Sequence, residues 1–100
     1  MRFIVGEVMT MKLNSGEELI AKIVEGEVDG YITISNPVSV APGPQGMGLV
    51  PSLFTGNPDA TTKLNTMSIA IFALTEENVK AKYLEATSGI KVPSKKLIIG

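Results

Sequence analysis

The chain contains no cysteine, no histidine and no tryptophan. Without cysteine there is no disulfide framework and no thiolate nucleophile. Without histidine there is no Cys2His2 finger, no Cys-His pair and no Ser-His-Asp triad. Charge is also sparse, at 19% of residues, and aromatics make up only 5%. A net charge of -1 excludes a polybasic, histone-like protein. No apolar run approaches the ~20 residues of a membrane-spanning helix. The N-terminal Met1-Arg2-Phe3-Ile4-Val5-Gly6-Glu7 starts like a signal peptide, but Glu7 interrupts it and no small-residue cleavage site follows. The expected location is the cytoplasm, since small secreted domains more often need disulfides.

What is abundant is apolar surface. Hydrophobic residues make up 44% of the 100 positions, and mean hydropathy is +0.25. One domain, residues 1–100, fits that length. A folded chain of this mass exposes roughly 5,500 Å², and so few charges cover such a surface thinly. Part of the apolar excess is therefore expected to lie between subunits.

Three strands are legible first. Arg2 to Leu13 is rich in Val, Ile, Phe and Met, and Asn14-Ser15-Gly16 then reads as a tight hairpin. Glu17 to Val24 alternates, with Leu19, Ala21 and Ile23 on one face. Glu25-Gly26-Glu27 and Asp29-Gly30 supply the next turn, before Tyr31-Ile32-Thr33-Ile34-Ser35. Asn36-Pro37 bends that strand ahead of Val38-Ser39-Val40, because proline lacks a ladder N–H. Residues 41–66 read as a long Pro/Gly-rich insertion, with four of the six prolines between Pro42 and Pro58. Met67 to Leu74 reads as a strand covered on both faces. Thr75 is the expected cap of a short helix over 76–88, in which Val79, Tyr83 and Ala86 share a face, with the Val79/Tyr83 stripe packing on the core, Glu76 precedes Lys80 by four residues, and Gly89 ends the helix. Lys95 to Ile99 is the expected last strand. The sum is a mainly β domain: a small, strongly bent five-stranded barrel with one late helix.

That order of elements, with Leu13-Asn14-Ser15-Gly16, an apolar strand, an Asp/Gly turn and a third strand, resembles the first motif of the Sm-like (LSm) family. The ending Leu97-Ile98-Ile99-Gly100 resembles the second motif. The chain as a whole resembles the Sm-like proteins of marine phages more than it does cellular ones. Ala21 stands where the family prefers Gly, Tyr31 about where a base-contacting Asn is expected, and Ile99 where Arg precedes the final Gly. The resemblance implies an SH3-like barrel and a homo-oligomeric ring of about five to seven subunits, closed head to tail. It also implies single-stranded nucleic acid as ligand, with RNA expected, and a role in RNA or DNA processing. The alternative is a phage structural or assembly adaptor ring that binds a protein partner. In a phage, the cytoplasm would be that of the host cell.

Site residues follow from both readings. The resemblance implies that the fourth strand of one subunit pairs with the fifth of the next, which makes Met67, Ile69 and Ile71, with Leu97, Ile98 and Ile99, the expected subunit interface. Left unpaired both strands would be aggregation-prone edges, and the alternative is that they pair within one closed barrel. Residues 1–60 carry a charge of -4 and residues 61–100 a charge of +3. Lys91, Lys95 and Lys96 are the candidate phosphate contacts, with an ordinary solvated terminus the competing reading. Tyr31 is the candidate base-stacking residue, or else a half-buried core tyrosine. Gly43-Pro44-Gln45-Gly46 and Ser88-Gly89-Ile90-Lys91 match a nucleotide clamp and an acyl-enzyme motif by spacing alone, without their flanking partners. Glu25, Glu27 and Asp29 read as a solvated turn rather than a cation site. Glu17 and Glu18 point to opposite strand faces and form no acid/base pair. No catalysis, cofactor, metal or membrane partner is expected.

Overall fold

A computed structural model describes residues 3–44 and 46–88. The chain is mainly β: β1 (Val8–Leu13), β2 (Glu18–Val28), β3 (Tyr31–Gly43), β4 (Gly46–Pro51), β5 (Thr62–Asn65) and β6 (Ile69–Leu74), followed by α1 (Glu77–Thr87). All pairings are antiparallel, and the sheet runs β4-β3-β2-β1-β6, with β5 also on β3. The expected β1-β2-β3 meander is present. Its first turn closes with Leu13 N–H donating to the Glu17 carbonyl at 2.8 Å. Its second places Asp29 and Gly30 at φ 53° and 86°, the left-handed pair that a two-residue hairpin requires.

The β2–β3 ladder is interrupted three times, between Ile20/Lys22, Ile23/Glu25 and Glu25/Val28. Each bulge adds twist and bends the strands. The bent sheet folds over one core built from Met9, Met11, Leu19, Ala21, Ile23, Ile32, Ile34 and Ile69. Phe3 joins it and stacks against Phe72 with ring centroids 4.6 Å apart. The opposite face carries a second core of Val8, Ile20, Val38 and Tyr83, and here the helix packs. The sheet is not closed among the described residues, because its ends β4 and β6 do not pair with one another.

Several expectations need correction. Residues 41–66 are not a structureless insertion, since Ala41–Gly43 continue β3, and β4 and β5 lie within the segment. The prolines and glycines occupy places that tolerate them. Gly43 and Gly46 flank a two-residue turn, and Pro51 ends a strand. Leu49 and Leu64 supply packing, one to each core. Both β4 and β5 sit on the same edge of β3, so they act as one strand broken by an excursion over 52–61. Gly43 and Gly46 therefore pair across a hairpin.

Nor is Met67–Leu74 a strand covered on both faces. Thr66–Ser68 forms a single 3-10 turn, and β6 starts at Ile69. One flank of β6 pairs with β1, and the other has no strand partner among the described residues. A run of apolar residues looks the same in sequence whether it is buried or only waiting for a partner. Glu76, not Thr75, caps α1, its carboxylate accepting from the Val79 N–H at 3.1 Å. Thr75 instead shares a 2.9 Å hydrogen bond with Thr10. Lys80 reaches Glu7 at 3.9 Å rather than Glu76. The expected strand over 95–99 and the Gly89 stop lie outside the described residues.

Candidate functional site

Three places carry the residues singled out by sequence: the turn at Tyr31, the outer edge of β6, and the C-terminal lysines. Tyr31 opens β3 directly after the Asp29-Gly30 turn and is 45% exposed. Its Cα partners are Val28 on one side and Asn65 on the other. Asn65 in turn accepts from the Met67 N–H at 2.9 Å, so Tyr31 and the start of β6 belong to one corner.

That corner is acidic. Glu25 accepts from the Thr33 hydroxyl at 3.0 Å and lies 3.9 Å from Lys63. Glu27 accepts from the Thr66 hydroxyl at 3.2 Å, while the Thr66 N–H donates to the Gly30 carbonyl at 2.9 Å. The turn carboxylates thus hold the turn to β5 and the 3-10 segment. Among the described residues no three acidic side chains converge as a metal site. Glu17 and Glu18 diverge, Glu17 accepting from Ser39 and Glu18 pairing with Lys12 at 3.7 Å.

The expected interface residues separate on inspection. Met67 sits on the 3-10 turn, its backbone pinned by Asn65 and by a 2.8 Å bond from the Asn14 amide to its carbonyl, with its side chain 81% exposed. Ile71 faces outward at 64% exposure. Ile69 is a correction: it turns into the core because the β1–β6 register shifts beside Leu13. Lys91, Lys95, Lys96, Leu97, Ile98 and Ile99 lie outside the described residues.

Sequence reasoning missed the other end of the sheet. β4 (GMGLVP) holds no charged residue, and neither does β6 (IAIFAL). Edge strands are ordinarily protected by lysine, inward charge or central proline. The one proline in either strand, Pro51, stands at the last position of β4 and leaves its centre unguarded. The excursion over 52–61 leaves β4 at this edge and carries Phe54, 82% exposed. The signal available in sequence was Leu53-Phe54 standing in a polar loop.

Two apolar-lined grooves of about 240 Å³ flank the sheet, below the roughly 300–1,000 Å³ of small-molecule sites. One runs under Leu53 between Leu19 and Leu64, the other between Met47, Leu74 and Val79. Among the described residues no helix is long and apolar enough to cross a membrane. Neither a scan of family models nor a search of curated proteins returned a match.

Proposed function

We propose that this chain is a non-catalytic, ring-forming protein of Sm-like type, assembled by pairing β4 of one subunit with β6 of the next. The carrying observation is that, among the described residues, the two open ends of the sheet are different strands and both uncharged. Pairing unlike edges is heterologous, so it repeats around a ring or along a fibre rather than stopping at a dimer. A sheet bent by three bulges, with β6 returned to β1 and β5 to β3, supports the Sm-like barrel reading. Light scattering after gel filtration tests the assembly. A mass several times 10.6 kDa is expected, and 10.6 kDa at micromolar protein overturns it.

Single-stranded nucleic acid, with RNA expected, is the ligand of this reading, and exposed Tyr31 is its stacking residue. A second reading, the protein adaptor ring, is favoured by charge. All ten acidic residues but only five of the nine basic ones lie within the described residues, a net of -5. Any phosphate contacts must then come chiefly from Lys91, Lys95 and Lys96. Changing all three to Ala should weaken oligo(U) and oligo(A) binding at least tenfold, with a shallower salt dependence. Unaltered affinity rejects that mechanism, and no binding at about 50 mM salt leaves the adaptor.

A further inference from the structure

The excursion over 52–61 and the 3-10 turn before β6 carry Phe54 and Met67, which at 82% and 81% are more exposed than the other large hydrophobic side chains of the described residues. Neither belongs to a core. Both are nevertheless held in place. Ser52 anchors the start of the excursion, its N–H donating to the Pro37 carbonyl at 3.0 Å and its hydroxyl meeting Ser39 at 3.0 Å. Within the excursion Asn57 organises a turn, receiving the Asp59 N–H on its side chain at 2.9 Å and the Ala60 N–H on its carbonyl at 3.1 Å. Leu53 packs close to Gly56. Met67 is fixed on both sides of its peptide by Asn65 and Asn14. Apolar side chains presented on tethered backbone, with none of the described residues over them, are what an interface anchor looks like before its partner arrives.

Geometry assigns them to each other. β3 uses one edge for β2 and the other for both β4 and β5, so the excursion joining β4 to β5 projects from the edge that would meet a neighbour. Every strand pair in this sheet is antiparallel. Extending the sheet in the same sense sets the end of β4, at Pro51, beside the start of β6 on the next subunit. Leu53 and Phe54 follow Pro51 by two and three residues, and Met67 precedes Ile69 by two. The two exposed side chains then meet at one corner of the junction.

Area argues for the same contact. A six-residue strand pair is roughly 20 Å long and, one side chain deep, covers on the order of 300 Å² of each partner. Stable interfaces need nearer ~800 Å² per partner. A buried phenylalanine contributes about 150–250 Å², and a thioether sulfur against an aromatic ring is a favourable contact. The excursion is thus the part of the chain able to widen a junction that the strands alone leave narrow.

We propose that Phe54 is an inter-subunit anchor that seats on Met67 of the partner subunit. The proposal rests on the edge pairing above, and its test separates the two. Because the chain has no cysteine, Phe54→Cys and Met67→Cys chains can be prepared with tags of different mass, mixed, allowed to exchange subunits and treated with a short bismaleimide. A mixed 54–67 cross-link in excess of both like-with-like products is expected. If the wild-type protein is oligomeric and the variants exchange, yet the mixed product is missing, the anchor is wrong and edge pairing stands. A wild-type monomer rejects both. Phe54→Ser supplies a second readout: subunit dissociation at least tenfold easier on dilution, with the unfolding of the isolated subunit unchanged. If Phe54→Ser leaves the mass intact but weakens oligo(U) binding, Phe54 stacks on bases and the anchor is overturned.

Discussion

Replacing Tyr83 with Phe should lower unfolding stability by about 1–3 kcal/mol, a large loss for the removal of one oxygen atom. The reason lies in the bulge at the centre of the sheet. Between the pairs Ile20–Val38 and Lys22–Ser35, β3 spends one residue more than β2. Asn36 takes a left-handed φ of 49° there, and Pro37 has no N–H to give. The ladder is broken in the middle of a buried region, where unpaired backbone groups are costly. Tyr83 repairs it from the helix. Its hydroxyl accepts from the Lys22 N–H at 3.2 Å and shares its proton between the Ser35 and Asn36 carbonyls, each 3.0 Å away. Phe keeps the ring and strands all three. Tyr83→Ala also opens a cavity and should cost about 3–5 kcal/mol.

Alkaline unfolding tests the same contact independently. Burial raises the Tyr83 phenol to about 12 from its usual 10.0, with the Lys22 N–H opposing in part. A phenolate would forfeit the bonds to both carbonyls. Because the folded value lies above the unfolded one, this stabilisation is complete below about pH 10 and is lost as pH rises through 12. The slope is about 1.4 kcal/mol per pH unit, so some 2–3 kcal/mol disappears across that window. Urea titrations of wild type and Tyr83→Phe, at fixed protein concentration, should therefore converge between pH 10 and 12. Parallel behaviour of the two proteins would show that the hydroxyl is not the group responsible.

Which parts were legible in sequence follows from where local chemistry decides structure. Asn14-Ser15-Gly16 and Asp29-Gly30 announced their turns because left-handed backbone selects those residues. The Asn36-Pro37 bend was visible because proline lacks a ladder N–H. The Val79/Tyr83 stripe on the helix was visible because its period matches 3.6. What sequence could not supply was pairing at a distance. Leu64 and Leu49 gave no sign that β5 and β4 share one edge of β3, since a strand of four to six residues among prolines has no period of its own. Ile69 and Ile71 are chemically alike, yet a register shift at Leu13 sends one into the core and leaves the other outside.

Ile71→Glu should convert the assembly to monomers at micromolar concentration, a loss of at least a hundredfold in subunit affinity. Ile71 lies mid-strand on β6, outward, at 64% exposure, so the isolated subunit gives up little burial. Its Cα partner on β1 is Lys12, and a carboxylate there gains an opposite charge across the strand pair, worth about 0.2–1 kcal/mol. The folded monomer is thereby protected while the edge is charged. In the proposed ring, the same carboxylate would be covered by β4 of the partner subunit, whose residues Gly46–Pro51 offer it no cation. Its cross-strand cation, Lys12, is already shared with Glu18, so stripping water from the added carboxylate costs more than a narrow strand junction can return, and the penalty recurs at every junction of the ring. Light scattering should then read 10.6 kDa, with a circular dichroism spectrum and melting curve of a folded β protein. An Ile71→Val variant, equally β-forming and uncharged, should keep the oligomer. If Ile71→Glu stays oligomeric, the outer edge of β6 is not the junction, and subunits must meet through another face.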